Sequence, residues 1–128
     1  TLFRSTDDNG EYRVYTHNGT VNSGLSPSEF ASIAEKAGAG EFVINNINRD
    51  GMESGYDLDL VEQCRKACSL PMTVVGGAGS MDDIKSLIQY FPIIGAGAGS
   101  LFVFKGKYKA VLVNYPNMLK KQSLYCAE

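Results

Sequence analysis

The chain reads as an α/β fold on parallel strands, with the pattern of part of a (βα)8 TIM barrel. Three observations predict it. Amphipathic helix runs alternate with apolar strand runs from residue 26 onward, every strand runs directly into a polar or glycine-rich loop, and no Gly-x-Gly-x-x-Gly follows a first strand. The alternation demands right-handed crossovers and parallel pairing. The missing fingerprint makes an open doubly wound sheet the runner-up. At 128 residues the chain is one modest domain or part of one, short of the roughly 250 residues of a complete barrel.

Residues 1–24 are polar and turn-rich, a loop carrying a β-hairpin. Asp7-Asp8-Asn9-Gly10 reads as a turn, Tyr12 to Thr16 alternates as a strand does, Asn18-Gly19 turns the chain, and Thr20-Val21 starts the return. This hairpin is expected on a long loop outside the core. The opening Thr1-Leu2-Phe3-Arg4 has no initiator Met, capping signal or apolar periodicity, which suits a piece of a longer protein. Residues 25–115 carry the βα units. Ser26-Pro27-Ser28-Glu29 opens a helix with an N-cap, a proline at its first position and a capping-box glutamate. Phe30, Ile33, Ala34 and Ala37 form its expected buried stripe and Gly38 ends it. Glu41–Ile47 is a strand, and Asp57 caps a helix carrying Leu58, Val61, Cys64, Arg65 and Cys68. Met72–Val75 is the next strand, Ser80 caps a helix through Ile84, Leu87, Ile88 and Phe91, and Ile93–Ala98 is the last strand. Gly99 to Phe102 suits a short helical turn. A final helix is expected between Tyr108 and Tyr115, and the tail at 116–128 is weakly patterned.

Acidic and basic residues balance to a net charge of −2 and are interspersed, so no footprint for nucleic acid or an anionic membrane exists. No apolar run approaches the roughly 20 residues of a membrane span, and no signal-peptide pattern opens the chain. Three cysteines without metal-ligand spacing read as free thiols of a reducing cytoplasm. No metal and no cofactor is expected.

The stretch Val74-Val75-Gly76-Gly77-Ala78-Gly79 carries the sharpest signal. Two β-branched residues enter three glycines within four positions, as a buried strand does where backbone amides approach a ligand closely. Gly95-Ala96-Gly97-Ala98-Gly99-Ser100 repeats the theme one helix later. Gly76, Gly77, Gly99 and Ser100 would together present amides, a hydroxyl and a helix dipole to a phosphate. The alternative is that these glycines only make tight turns. Asp50, just past a strand end between Arg49 and Gly51, is a candidate acid or base, or simply an Asp-Gly turn. Asn45 and Asn48 alternate with Ile44 and Ile47, so one amide faces a polar interior unless Asn48 merely caps the strand. Glu41 opens its strand at the opposite mouth, where a carboxylate should need a cationic partner and belongs to a gate or an interface. His17 reads as a surface residue. Lys105, Lys107 and Lys109 read as the solvated start of the last helix.

Taken in order, Gly38-Ala39-Gly40-Glu41, Ile47-Asn48-Arg49-Asp50-Gly51, Ser54-Gly55-Tyr56-Asp57, Gly76-Gly77-Ala78-Gly79 and Ser100-Leu101-Phe102-Val103-Phe104 resemble the C-terminal half of the cyclase subunit of imidazole glycerol phosphate synthase. The likeness covers about residues 11 to 104. It implies a (βα)8 barrel that takes ammonia from a glutaminase partner through its central channel. The products are imidazole glycerol phosphate and an aminoimidazole carboxamide ribotide (AICAR), in histidine and purine metabolism. Carried over, Gly51, Gly77, Gly99 and Ser100 hold one of two substrate phosphates, Asp50 is the strand-end aspartate near the glycerol phosphate, and Glu41 belongs to the ammonia gate. The hairpin matches the long loop after the fifth strand. The family's two principal acid-base aspartates fall outside the chain, so these residues alone should not catalyse the reaction. The remaining barrel half, or a second copy, is then an expected partner.

The chain departs from that family at Asn48, where an acidic residue is usual, at Asn45, where a hydroxyl is usual, and at Val75, where a serine is usual. Those departures weigh against the standard nucleotide. The run from Phe102 to Leu112 is more like a paralogous branch found with surface-polysaccharide (lipopolysaccharide) genes, which pairs a glutaminase with a cyclase-like subunit to amidate a nucleotide sugar. A non-enzymatic phosphate-binding half barrel is the third reading.

Overall fold

A computed structural model describes residues 2–4 and 10–125 of the chain. The main sheet begins with β1 (Leu2–Arg4), β2 (Arg13–Thr16) and β3 (Val21–Asn22). It continues through α1 (Pro27–Lys36), β4 (Phe42–Asn46), α2 (Leu58–Ala67), β5 (Met72–Val75), α3 (Met81–Tyr90) and β6 (Ile94–Ala96). Strand order is β3-β2-β1-β4-β5-β6. β1, β4, β5 and β6 pair in parallel. Their spatial order follows chain order without reversal, as in a barrel wall; a doubly wound sheet reverses at a switch point.

Helix starts follow the local chemistry. Ser26 and Glu29 form a complete capping box on α1, Asp57 accepts from the Leu60 amide at the start of α2, and Ser80 and Asp83 form a second box on α3. Gly38 takes φ +81° just past α1, a conformation that favours glycine. The strands alternate. Phe42, Ile44, Asn46, Met72 and Val74 face the helices, packed with Leu60, Val61, Cys64, Ile84 and Leu87. Burial of each large apolar side chain there contributes about 1.5–3 kcal/mol. Val43, Asn45, Thr73 and Val75 point the other way, and Val43 remains 41% exposed.

Several expectations are corrected. The opening residues, read as loop, form β1, whose backbone pairs with β2 on one side and β4 on the other. The hairpin turns at His17–Thr20 as expected, but it is part of the core. β2 extends the sheet, Val14 is 2% exposed, and the Tyr12 hydroxyl donates to Asp57 at 2.8 Å. On α1, Ile33 and Ala37 are exposed while Ala31 is buried, because the helix meets α2 and β2 along the line of Pro27 and Ala31. No helix forms between Tyr108 and Tyr115. After α4 (Ser100–Val103) the chain makes β7 (Phe104–Lys105) and β8 (Ala110–Val111), an antiparallel pair, and then α5 (Met118–Gln122) within the tail. β-branched Val111 and Val113 around a Gly106 turn favour a hairpin over a helix. Thr1, Asp7-Asp8-Asn9 of the expected turn, and residues 126–128 of the tail lie outside the described residues.

Candidate functional site

The loops after β4, β5 and β6 gather at the carboxyl ends of the parallel strands. Gly51 has φ +73°, and a Cβ placed on it would stand 4.0 Å from Ser100 Oγ. Gly99 has open space around its Cβ direction. The loop after β4 thus comes up to Ser100 at the loop after β6, and Gly99 beside Ser100 is unobstructed on its Cβ side. Gly76 and Gly77 are enclosed on their Cβ side. A Cβ on Gly76 would stand 2.7 Å from Asn45 Oδ1. Gly77, buried at φ +112°, would drive one into the carbonyl oxygen of Gly55, and its own carbonyl accepts from the Gly55 amide at 2.8 Å. Gly79 is closed off in the same manner by the Glu53 carbonyl, and its N–H donates to Asp83 in the capping box. The second and fourth residues of the glycine string thus join two loops.

Behind the loops lies a group that sequence reasoning saw only as a helix cap. The Asp57 carboxylate is 5% exposed and accepts from Tyr12 Oη at 2.8 Å, from Asn46 Nδ2 at 2.7 Å and from the Leu60 amide at 3.3 Å. Arg49 Nε stands 3.6 Å from it, while Arg49 Nη1 donates to the carbonyls of Gly55 and Tyr56. Arg49 thereby ties its own turn to the loop that abuts Gly77. Burial and then the Asp57 hydrogen bond push the Tyr12 hydroxyl well above the usual phenol range. Burial, reinforced by the Asp83 charge, raises Tyr56 to about 12. Its hydroxyl donates to the Gly97 carbonyl at 2.8 Å, linking the loop to the strand after α3. Tyr12 and Asp57 are 45 positions apart, so no local pattern announces the group.

Asp50 is exposed in the turn beyond β4, and its amide donates to the Asn46 carbonyl. Asn48 is exposed in the same turn, with its amide donating to Asn46 Oδ1 at 3.0 Å. Asn45 and Val75 are paired in register near the carboxyl ends, on the face away from the helices. Asn45 Oδ1 is buried and accepts no hydrogen bond from the described residues. Gly95 and Gly97 leave room for Thr73 and Val75, whose side chains lean where a Cβ would sit. Glu41 lies at the opposite end of the sheet. It is exposed and accepts from Thr73 Oγ1 at 2.6 Å, and among the described residues no cation stands within ion-pair distance of it where one was expected.

A separate cleft of about 390 Å³ opens beside Ser100, walled by Gly79, Glu53 and, from the β7–β8 hairpin, Gly106, Lys107 and Lys109. Lys109 Nζ lies 3.3 Å from Glu53 Oε1. Among the described residues no cluster of three His, Cys, Asp or Glu side chains is placed to hold a metal. Among them, too, no helix is long and apolar enough to cross a membrane.

This geometry defines a class: an α/β protein with a run of consecutive parallel strands whose glycine-rich loops converge at their carboxyl ends. The chain belongs to the histidine biosynthesis protein family, matched over residues 3–109. It is 50% identical over 123 residues to a Leptospira interrogans protein provisionally named imidazole glycerol phosphate synthase subunit HisF, covering 96% of this chain and 48% of that one. A Vibrio vulnificus protein provisionally named as the hisF3 form of that subunit is 49% identical, covering 88% of this chain and 43% of its own length. The HisF subunit of Sulfolobus acidocaldarius is 37% identical over 62% of this chain and 32% of its own. The chain thus spans less than half the length of these relatives. The resemblance to the cyclase subunit holds.

Proposed function

We propose that this chain is the C-terminal half of a (βα)8 barrel, a single partial domain, in a cyclase subunit that accepts ammonia from a glutaminase partner. The whole protein forms imidazole glycerol phosphate and the aminoimidazole carboxamide ribotide of histidine biosynthesis, in the cytoplasm. The observation that supports the reading is the approach of Gly51 to Ser100, where the loop after β4 meets the loop after β6 at the carboxyl ends of the parallel strands. There Gly51, Gly76, Gly77, Gly99 and Ser100 bind one phosphate of the substrate. Barrels frequently bind phosphate after their last two strands. Asp50 supplies a carboxylate beside that phosphate, Asn45, Asn48 and Val75 face the rest of the substrate, and Glu41 sits at the ammonia entrance. The 128 residues alone are inactive, because the principal acid-base groups belong to the other half of the barrel.

A second reading, amidation of a nucleotide sugar, is favoured by Asn45 and Val75. They put an unsatisfied amide oxygen and an apolar side chain where the cyclase pattern carries hydroxyls. The test is substrate turnover by the full-length protein. With ammonia it should cyclise the phosphoribulosyl nucleotide. No cyclisation, together with amidation of a UDP-sugar when glutaminase is present, would replace the first reading by the second. A full-length protein with neither activity that still binds phosphate would leave the non-enzymatic reading.

A further inference from the structure

The Glu41 carboxylate, at the end of the sheet opposite the glycine loops, has a hydroxyl for its partner. Thr73 Oγ1 donates to it at 2.6 Å across the β4–β5 pair. Thr73 lies on the face away from the helices, in register with Val43 on one side and Gly95 on the other, and neither of those side chains can hydrogen-bond. A Cβ on Gly95 would run into Thr73 Oγ1, so the glycine keeps the room that the hydroxyl occupies. Strand propensity does not account for that hydroxyl, because valine serves a strand equally well. Stability does not account for it either. Glu41 is exposed, and a hydrogen bond to a carboxylate that water can solvate adds little to the water it replaces. What the bond does is fix where the carboxylate points: toward the face away from the helices, beside the first hydroxyl of that face.

We infer that Thr73 is a positioning residue for ammonia transfer, holding the Glu41 carboxylate in place where ammonia enters. The inference rests on the ammonia entrance proposed above at Glu41 and extends it one strand inward. A threonine hydroxyl has one proton and two lone pairs. With its proton given to Glu41, Thr73 is left as an acceptor, and the carboxylate is an acceptor too. The pair therefore suits a small guest that brings only N–H groups to the entrance, and it holds the acceptors still while that guest passes.

The full-length protein with its glutaminase partner provides the test, through the ratio of glutamine-dependent to ammonium-dependent turnover of whichever substrate it uses. Thr73→Val, which keeps the shape and removes the hydroxyl, should lower that ratio about tenfold, the scale of one hydrogen bond to a charged group. Thr73→Ser should restore it. A role in packing alone would move both rates together, along with the denaturation midpoint, and leave the ratio as it is. Should valine crowd Gly95 and prevent folding, Thr73→Ala carries the same expectation. An unchanged ratio in a folded variant without the hydroxyl, or a loss that Thr73→Ser does not restore, overturns the inference while the entrance at Glu41 stands. A wild-type complex without glutamine-dependent turnover removes both.

Discussion

At the scale of the residue, the glycines divide into two kinds that their letters do not distinguish. Gly77 stands at φ +112° against the Gly55 carbonyl, so any side chain there must displace backbone. Gly99 stands at φ −101° with nothing near its Cβ direction. Gly77→Ala should therefore destabilise the protein by about 2–4 kcal/mol, read as a lowered denaturation midpoint. Gly99→Ala should leave that midpoint unchanged and weaken orthophosphate binding about tenfold by placing a methyl in the anion's space. Equal loss of stability in both would mean that Gly99, too, is there for packing. The Gly-Gly-Ala-Gly string is plain in the sequence, yet the loop that presses on it lies some twenty residues earlier in the chain. Only the folded geometry separates a glycine that packs from one that stays open.

At the scale of the element, the helices with strong caps were legible because their signals are local. Ser26 with Glu29, Asp57, and Ser80 with Asp83 each satisfy amide groups within one turn. β1 was not legible. Three residues acquire a strand conformation from neighbours on both sides, β2 and β4, and neither pairing is visible in a short window. The last segment differs from the expected helix because its β-branched Val111 and Val113 favour extended backbone, which a run of lysines does not reveal. α2 carries a consequence that can be measured. Burial raises the Cys64 thiol from its ordinary 9.0 to about 12. The unfolded chain ionises that thiol first, so its contribution to stability is full below pH 9 and fades as pH rises toward 12. Denaturant midpoints should fall through that alkaline window in wild type and less in Cys64→Ala. At neutral pH a thiol reagent should label Cys64 only after unfolding, and fast labelling of the native protein would contradict its burial.

At the scale of the whole molecule, the described residues place helices over one face of the sheet. Helices shield Phe42, Ile44, Met72 and Val74, whereas Val43, Asn45, Thr73 and Val75 face away from them. The relatives are about twice as long, and the proposed barrel buries that second face as its interior. The loops above it are already joined. The Gly55 amide bonds to the Gly77 carbonyl, Gly79 abuts Glu53, Arg49 holds Gly55 and Tyr56, and Tyr56 reaches Gly97. These segments cannot open one at a time, so they should behave as one cooperative unit in amide hydrogen exchange. Saturating phosphate should slow exchange at Gly55 and Tyr56 as much as at the loop it touches, carrying the record of an occupied site along the peptide backbone to residues the anion never meets.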